Sequence, residues 1–197
     1  IPPQAHLTML PRPHLMERLN DGLINPDGFS RKLTLICAPA GYGKTSLAVD
    51  WVRHQPAPFA WLSLDEGDND PARFLSYLIS ALRRGQDEIG ASALAMLAVP
   101  GPPPLESALM VLVNELTAAR QPLILVLDDY HIIQAAPIHQ MVVFLLERQP
   151  DYLHQVIISR ADPPLPLHRL RVRRQMLEIR QDDLRFSKEE SAAFFEA

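Results

Sequence analysis

The stretch that decides the fold runs from Leu33 to Trp51 and reads LTLICAPAGYGKTSLAVDW. An apolar run of strand type ends in small, turn-prone residues, which are followed by Gly-Lys-Thr and a helix-like pattern. Backbone N–H groups that converge at a helix N-terminus bind phosphate oxygens, and the helix dipole favours anions at the same place. The order of strand, small-residue turn, Gly-Lys-Thr and helix therefore predicts a phosphate-binding loop, with a chance glycine turn before a helix as the alternative.

The positions of this loop have distinct predicted roles. Gly41 and Gly43 tolerate unusual backbone angles and leave room for phosphate. Lys44 can reach the β- and γ-phosphate oxygens, and the Thr45 hydroxyl can ligate Mg²⁺. Ala38 stands where the pattern usually has Gly, a departure that keeps the residue small. The predicted nucleotide-binding residues of the loop are Ala40, Gly41, Tyr42, Gly43, Lys44, Thr45 and Ser46.

The composition is that of an ordinary globular chain. Of 197 residues, 47% are hydrophobic and 21% are charged, and the net charge is −4. This charge gives no basic footprint for nucleic acid, and no apolar run approaches the ~20 residues of a membrane-spanning helix. The single cysteine, Cys37, excludes an internal disulfide framework and fits a reducing cytosol, so a cytoplasmic location and no membrane partner are expected. The chain begins without Met and stops within a predicted helix, which suggests a piece of a longer protein.

Predicted strands alternate with predicted helices, and the strands are uniformly apolar. A parallel sheet that is buried on both faces requires this combination. We therefore predict an α/β three-layer core with a mainly parallel sheet of about five strands and helices on both faces. The predicted strands are residues 32–37, 58–64, 122–127, 154–159 and 175–180. The predicted helices are residues 14–23, 45–53, 71–84, 105–119 and 137–148, with a last helix opened by a capping box of Ser187 and Glu190. Over residues 86–104 the helical and strand patterns weaken, and the segment ends in PGPPP, which is predicted to be a loop without regular structure.

An acid pair follows the buried strand in LILVLDDYH. We assign Asp128 to Mg²⁺ through a water, so the predicted metal ligands are Thr45 and Asp128. Asp129 is assigned as the general base that polarises the attacking water. The alternative is a strand that simply ends in a polar Asp-Asp turn.

A third buried strand, in QVIISRADPP, ends in Ser159 and Arg160. An arginine at this place can sense the γ-phosphate through charge-assisted hydrogen bonds, and a surface salt bridge explains it equally well. The Asn-Lys-x-Asp segment with which guanine-specific P-loop proteins read the base does not occur in the sequence. ATP is therefore the expected nucleotide.

Together these residues resemble the nucleotide-binding domain of the MalT-like, large LuxR-type transcription regulators. This group belongs to the STAND class, the signal-transduction ATPases with numerous domains. The resemblance runs from RPHLMERL onward and is weakest over residues 86–105; SLDEGDND is its most specific segment. It rests on APAGYGKTSLAVDW, WLSLDEGDNDPARFLSYLISAL, LVLDDYHII and IISRADPPLPLHRLRVRRQMLEIRQDDLRFSKEESAAFF.

The resemblance implies a switch rather than a metabolic enzyme. Proteins of this group look like ADP-bound resting monomers that exchange to ATP when an inducer binds, then self-associate and activate transcription. It implies ATP or ADP and Mg²⁺ as cofactors, Asp128 and Asp129 as the acid pair, and Arg160 as the phosphate-sensing arginine. By the same likeness Arg12 and His14, in the lead-in PRPHL, contact the base. DNA would be bound through a C-terminal domain that is absent here.

On this likeness residues 1–24 form a lead-in and short helix that are part of the nucleotide pocket. Residues 25–197 form a C-terminally truncated STAND ATPase core. We expect an ATP-binding, slowly hydrolysing switch domain of a signal-responsive transcriptional regulator. Two alternatives remain: a P-loop small-molecule kinase with HRLRVRR (168–174) as its lid, and a structural scaffold that binds ADP.

Two further segments are rich in charged residues and have more than one interpretation. HRLRVRR is predicted to be a half-exposed extended segment with solvated arginines, or else to supply an arginine that reaches the nucleotide or a neighbouring subunit. In DEGDND, Gly67 is third rather than sixth, which disfavours a calcium loop; Asp70 is predicted to cap a helix, and the rest to form a loop near the phosphate site. Trp51 and Trp61 are predicted core residues.

Overall fold

A computed structural model describes residues 12–25, 27–99, 101, 104–186 and 190. A five-stranded sheet lies at its centre, and every pair of neighbouring strands in that sheet is parallel. The strands are β1 (Ile24–Asn25), β2 (Gly28–Phe29), β3 (Leu33–Cys37), β4 (Phe59–Ser63), β5 (Leu123–Asp128), β6 (Leu153–Ser159) and β7 (Met176–Arg180). The α-helices are α1 (Pro13–Asn20), α2 (Lys44–Arg53), α3 (Pro71–Gly85), α4 (Ala91–Leu97), α5 (Leu105–Ala119), α6 (Ala136–Arg148), α7 (Leu167–Val172) and α8 (Gln181–Leu184). The predicted three-layer α/β fold is confirmed.

The strand order of the sheet is β4-β5-β6-β3-β7. The strand before the phosphate-binding loop, β3, therefore lies between β6 and β7, and Cys37 at its end is in register with both Ser159 and Arg180. Because the strands are parallel, their carboxyl ends meet at one edge of the sheet. The segments after β3, β5, β6 and β7 are brought together there.

The two faces of the sheet bury separate apolar clusters. Alternate residues of β3 show the division, since Leu33 and Leu35 belong to one cluster and Ile36 belongs to the other. The first cluster is completed by α3, α4, α5 and α6, and the second by α1, α2 and the β1–β2 hairpin. Trp51 and Trp61 are buried in the second cluster, with 0% and 3% exposure, so the prediction that both are core residues is confirmed.

The prediction of an extended segment at residues 168–174 is wrong, because α7 occupies most of it. In an extended segment that alternates arginine with Leu170 and Val172, both apolar side chains would be buried. In the structure Val172 is 85% exposed. Leu167 and Leu170, three residues apart, both pack against the apolar cluster instead. That spacing belongs to one face of a helix.

Residues 86–104 are not wholly irregular either, because they contain α4. Gly90 precedes this helix with φ 80°, a left-handed conformation that favours glycine. The carboxylate of Glu115, on α5, accepts hydrogen bonds from the N–H groups of Gly90 (2.5 Å) and Ser92 (3.1 Å). The helix is thus capped by a residue about 25 positions away in the chain, which local sequence does not reveal.

Other boundaries differ by a few residues. The first helix ends at Asn20 rather than at Leu23, because Gly22 turns the chain with φ 58° and leads it into the hairpin. Predictions for residues 1–11 and for the capping box at Ser187 fall outside the described residues. Among the helices that the structure describes, none combines the length and apolarity that crossing a bilayer requires.

Candidate functional site

The segment between β3 and α2 has the geometry of a phosphate-binding loop. Gly41 and Gly43 have φ values of 85° and 70°, and a Cβ atom at either would meet nothing within 4 Å. The backbone conformation, rather than lack of space, therefore requires glycine at both positions. No side chain among the described residues caps α2, which leaves the N–H groups of its first turn available to an anion.

Lys44 begins α2 and folds back over this loop. Its Nζ donates a hydrogen bond to the carbonyl oxygen of Pro39 at 2.8 Å, and the residue is only 8% exposed. Burial lowers the pKa of Lys44 and the nearby charge of Arg160 lowers it further, whereas Asp129 and Asp128 oppose the shift. The charge of Lys44 thus interacts with those of all three predicted catalytic residues, Asp128, Asp129 and Arg160.

Thr45 and Asp128 are in direct contact, although they are 83 residues apart in the chain. The Thr45 hydroxyl donates to Asp128 Oδ1 at 3.2 Å, and the N–H of Asp129 donates to the same oxygen at 3.0 Å. Asp128 is 3% exposed, and burial together with the charge of Asp129 raises its pKa to about 6. A hydroxyl and a carboxylate at this distance fit the oxygen ligands that Mg²⁺ prefers.

The described residues contain no cluster of three or more acidic, histidine or cysteine side chains that could enclose a metal ion. This finding is compatible with Mg²⁺, which is bound by one or two carboxylates together with substrate phosphates rather than by an all-protein cage.

Asp129 begins a 3₁₀ turn, Tyr130–Ile132, that follows β5. Its φ of 57° lies in the left-handed region, which aspartate tolerates better than most side chains, and the carboxylate is 45% exposed. His131 lies on the same turn, 3.9 Å from Asp129 Oδ1, and its buried Nδ1 has no hydrogen-bond partner among the described residues. Burial and the charge of Arg160 lower the pKa of His131, and the charge of Asp129 opposes this shift. Sequence reasoning missed His131, whose only signal was its place two residues after the acid pair.

Arg160 directly follows β6 and is exposed. Its charge lowers the pKa values of both Lys44 and His131, which locates the guanidinium on the loop side of the sheet. Within the part of the chain that the structure describes, Arg160 forms no ion pair. The surface salt bridge that would explain it as a structural residue is therefore not formed with any of those residues.

Arg12 and His14 lie beside the C-terminal segment. The Arg12 guanidinium donates to the carbonyl oxygens of Leu184 (2.8 Å) and Arg185 (2.9 Å) and pairs with Glu190 at 3.1 Å. His14 is 3.6 Å from the same glutamate and its side chain is 56% exposed. The structure thus gives both residues protein contacts, and their predicted contact with the base stays a prediction.

Tyr42 connects the loop to the same C-terminal segment. Its hydroxyl accepts a hydrogen bond from Gln181 Nε2 at 3.0 Å, and Gln181 opens α8 directly after β7. The sequence offered no signal for Gln181, because α8 has only four residues and no periodic pattern.

The segment after β4 lies next to the acid pair. Leu64 N–H donates to the carbonyl oxygen of Asp128 at 3.0 Å, and the following residues, Glu66–Asn69, form a 3₁₀ helix instead of the predicted loop. Asp70 Oδ1 accepts from the N–H of Arg73 at 2.8 Å, so the predicted cap of α3 is confirmed. Asp68 is 1% exposed and pairs with Arg73 at 3.2 Å.

Sequence comparison finds bacterial relatives of this chain. The HTH-type transcriptional regulator MalT of Cronobacter sakazakii is 44% identical over 165 residues, which are 84% of this chain and 18% of that regulator. MalT of Serratia proteamaculans is 41% identical over the same shares. This chain is a MalT-like domain. It spans less than a fifth of the length of these regulators, so it corresponds to one part of them.

Structural comparison supports the same fold, whereas no protein-family model matches the MalT-like domain. Cdc6p from Pyrobaculum aerophilum superposes with a TM-score of 0.56 and 17% identity over 90% of this chain and 47% of that one. A STAND protein with a tetratricopeptide repeat sensor from Pyrococcus horikoshii superposes with a TM-score of 0.54 and 14% sequence identity. The superposition covers 97% of this chain and 25% of that one. Identities this low show the fold alone, which is that of the P-loop NTPases.

Proposed function

We propose that the MalT-like domain binds ATP and ADP with Mg²⁺, hydrolyses ATP slowly, and acts as the switch of a signal-responsive transcriptional regulator. The observation that carries the proposal is the 3.2 Å hydrogen bond between Thr45 and Asp128. This hydrogen bond joins the Thr45 hydroxyl to the carboxylate of Asp128, which ends β5. Lys44 lies at the same edge of the sheet. The binding of a magnesium-bound polyphosphate requires a hydroxyl, a carboxylate and an ammonium group close together in this way.

In the binding step the N–H groups of residues 40–46 and the Lys44 ammonium hold the phosphates. Lys44 exchanges its hydrogen bond with Pro39 for phosphate oxygens, and its low exposure strengthens that charge interaction. Thr45 and Asp128 would hold Mg²⁺, which would supply positive charge to neutralise the phosphates.

In the hydrolytic step Asp129 accepts a proton from the attacking water. Its carboxylate is 45% exposed, and the nearest His131 nitrogen lies beyond hydrogen-bond distance. An incompletely positioned base fits slow turnover, which a switch needs so that its ATP state persists. Arg160, exposed beside Lys44, senses the γ-phosphate and so distinguishes ATP from ADP.

The regulatory part of the proposal draws on the relatives, which are HTH-type transcriptional regulators. In that setting the domain controls self-association through its ADP or ATP state, and another part of the protein binds DNA. A small-molecule kinase is less well supported, because the segment it would use as a lid is helical. Arg169 and Arg171 of that segment are paired with Glu147 and Glu178.

Titration of ADP and Mg-ATP into the chain and its Lys44→Ala variant tests the proposal. Lys44→Ala should lose most of its nucleotide affinity while its circular dichroism remains that of the unmodified chain. Equal affinity in the two proteins would refute the site. Denaturing the purified chain and identifying any released nucleotide provides an independent check, with adenine nucleotide expected and guanine nucleotide contradicting the assignment.

A further inference from the structure

The turn that carries Asp129 and His131 is fixed at its far end by a single side chain, that of Asn69. The amide oxygen of Asn69 accepts hydrogen bonds from the N–H groups of Gln134 (2.7 Å) and Ala135 (3.1 Å). Its amide nitrogen donates to the carbonyl oxygens of Ile132 (3.1 Å) and Glu66 (3.2 Å). Both lone pairs and both hydrogens of the amide are used, so only one orientation of the group satisfies all four partners.

The segment that presents Asn69 is itself rigid. Asp65 Oδ1 accepts from the N–H of Gly67 at 2.8 Å, and Asp68 Oδ2 accepts from the N–H of Asp65 at 2.9 Å. The guanidinium of Arg73 bridges the two carboxylates, at 3.2 Å from each. A side chain held on such a frame can impose a position on the turn that it contacts.

The near end of the same turn is fixed by β5, where Asp128 accepts the N–H of Asp129. Between the two fixed ends the turn has its own hydrogen bonds, from Ile132 N–H to the carbonyl of Asp129 (3.0 Å) and from Ile133 N–H to that of Tyr130 (3.1 Å). The backbone of Asp129 is held in the left-handed region. The direction in which its side chain points therefore depends on both fixed ends of the turn, at Asp128 and at Asn69.

We propose that Asn69 is a positioning residue for the hydrolytic step: its amide fixes the turn from Asp129 to Ala135 and thereby sets where Asp129 and His131 lie relative to Asp128. This inference rests on the proposed function. It gives a physical role to the segment SLDEGDND. Among the described residues, the Asn69 side chain forms no hydrogen bond with the phosphate loop or the candidate metal ligands, so its loss should affect turnover rather than binding.

The test compares Asn69→Ala, Asn69→Asp and a matched control, Asp70→Ala. The control removes the cap of α3 from the adjacent position without contacting the turn, so it lowers thermal stability without releasing the turn. For each protein we would measure hydrogen exchange at the amides of Gln134 and Ala135 in the absence of nucleotide. We would also measure the Kd for ADP and the single-turnover rate with saturating Mg-ATP.

In Asn69→Ala the two amides should exchange about tenfold faster or more. The single-turnover rate should fall about tenfold to a hundredfold, with the Kd for ADP within about twofold of the unmodified chain. Asn69→Asp keeps the acceptor for Gln134 and Ala135 but loses the donor to Ile132 and Glu66, so the protection of the two amides should remain and its rate should be intermediate. This variant also decides the matter if Asn69→Ala does not fold. Asp70→Ala should match the unmodified chain in all three measurements.

The inference is overturned if Asn69→Ala turns over ATP as fast as Asp70→Ala, or if its amides at 134 and 135 stay protected. Failure of the proposed function gives a different pattern, because the unmodified chain would then neither bind ADP nor hydrolyse ATP. In that case the exchange measurement alone decides whether Asn69 fixes the turn.

Discussion

Replacing Asp128 by Asn should stabilise the nucleotide-free domain while weakening its use of Mg²⁺. The pKa of this carboxyl is raised from 3.8 to about 6, chiefly by burial and next by the charge of Asp129. A shift of about 2 pKa units corresponds to about 3 kcal/mol at 1.36 kcal/mol per unit. Because the pKa is higher in the folded state, the folded chain binds more protons between pH 3.8 and 6. The free energy of unfolding therefore falls as the pH rises through this range, and the whole penalty is present above it.

Asp128→Asn removes the buried charge but keeps an oxygen that can accept from Thr45 and Asp129. In urea unfolding without nucleotide or Mg²⁺, we expect the variant to be more stable than the unmodified chain by up to about 3 kcal/mol at pH 8. The difference should be much smaller at pH 4, where the folded carboxyl is protonated, and should approach zero only below pH 3.8, where the unfolded carboxyl is protonated as well. Asp182→Asn provides the control, because this carboxylate is 85% exposed and its loss should change stability by less than about 0.5 kcal/mol.

Binding measurements complete this experiment. Asp128→Asn should bind ADP without metal much as the unmodified chain does, and should lose the additional affinity that Mg²⁺ confers on ATP. A variant that is no more stable at pH 8, or a stability difference that is the same at pH 4 and pH 8, would refute the reasoning. Either result would mean that the Asp128 carboxylate is adequately solvated or paired in the empty site.

Three further predictions follow from the same structure. Asp129→Asn should keep ADP affinity and lower the single-turnover rate about a hundredfold or more, and equal rates would move the base role elsewhere. Arg160→Ala should weaken ATP binding more than ADP binding, measured as the ratio of the two Kd values; an unchanged ratio would contradict a γ-phosphate contact. His154 is fully buried, which lowers its pKa to about 4 from 6.5, so the free energy of unfolding should fall by about 3 kcal/mol between pH 6.5 and pH 4. His154→Gln in the Asp128→Asn background should remove this dependence in urea titrations, and an unaltered pH slope would contradict it.

The parts of the fold that were predictable depend on residues close together in the sequence. Each of the strands β3, β4, β5 and β6 contains a run of apolar residues, and the conformations of Gly41 and Gly43 follow from the spacing around Lys44. A parallel sheet brings its carboxyl ends to one edge, so the approach of the ends of β3 and β5 could be expected from the strand pattern. Local pattern and general topology thus account for the proximity of Thr45 and Asp128, whose roles stay predictions.

What was missed depends on contacts between distant segments. The helix α4 begins where Glu115 supplies its cap, and no residue near Gly90 indicates that. The contact between Gln181 and Tyr42 joins positions 139 residues apart. Asn69 was read only as part of an acidic segment, since its four partners lie partly on another loop. A side chain whose role is to fix a distant turn leaves no periodic signal.

Without nucleotide, the candidate site has an unfavourable electrostatic free energy, which bears on how a switch of this kind can work. The buried carboxylate of Asp128 and the desolvated ammonium of Lys44 are both held in forms that burial disfavours. A magnesium-bound nucleotide supplies the opposite charge to each, so binding should recover much of this cost and stabilise the loop, the turn and the strand ends together. ATP and ADP differ only at the γ-phosphate, beside which we place Arg160 and the turn that Asn69 holds. The difference between the two states would therefore be expressed as a change in that turn, because the remaining contacts are common to both nucleotides.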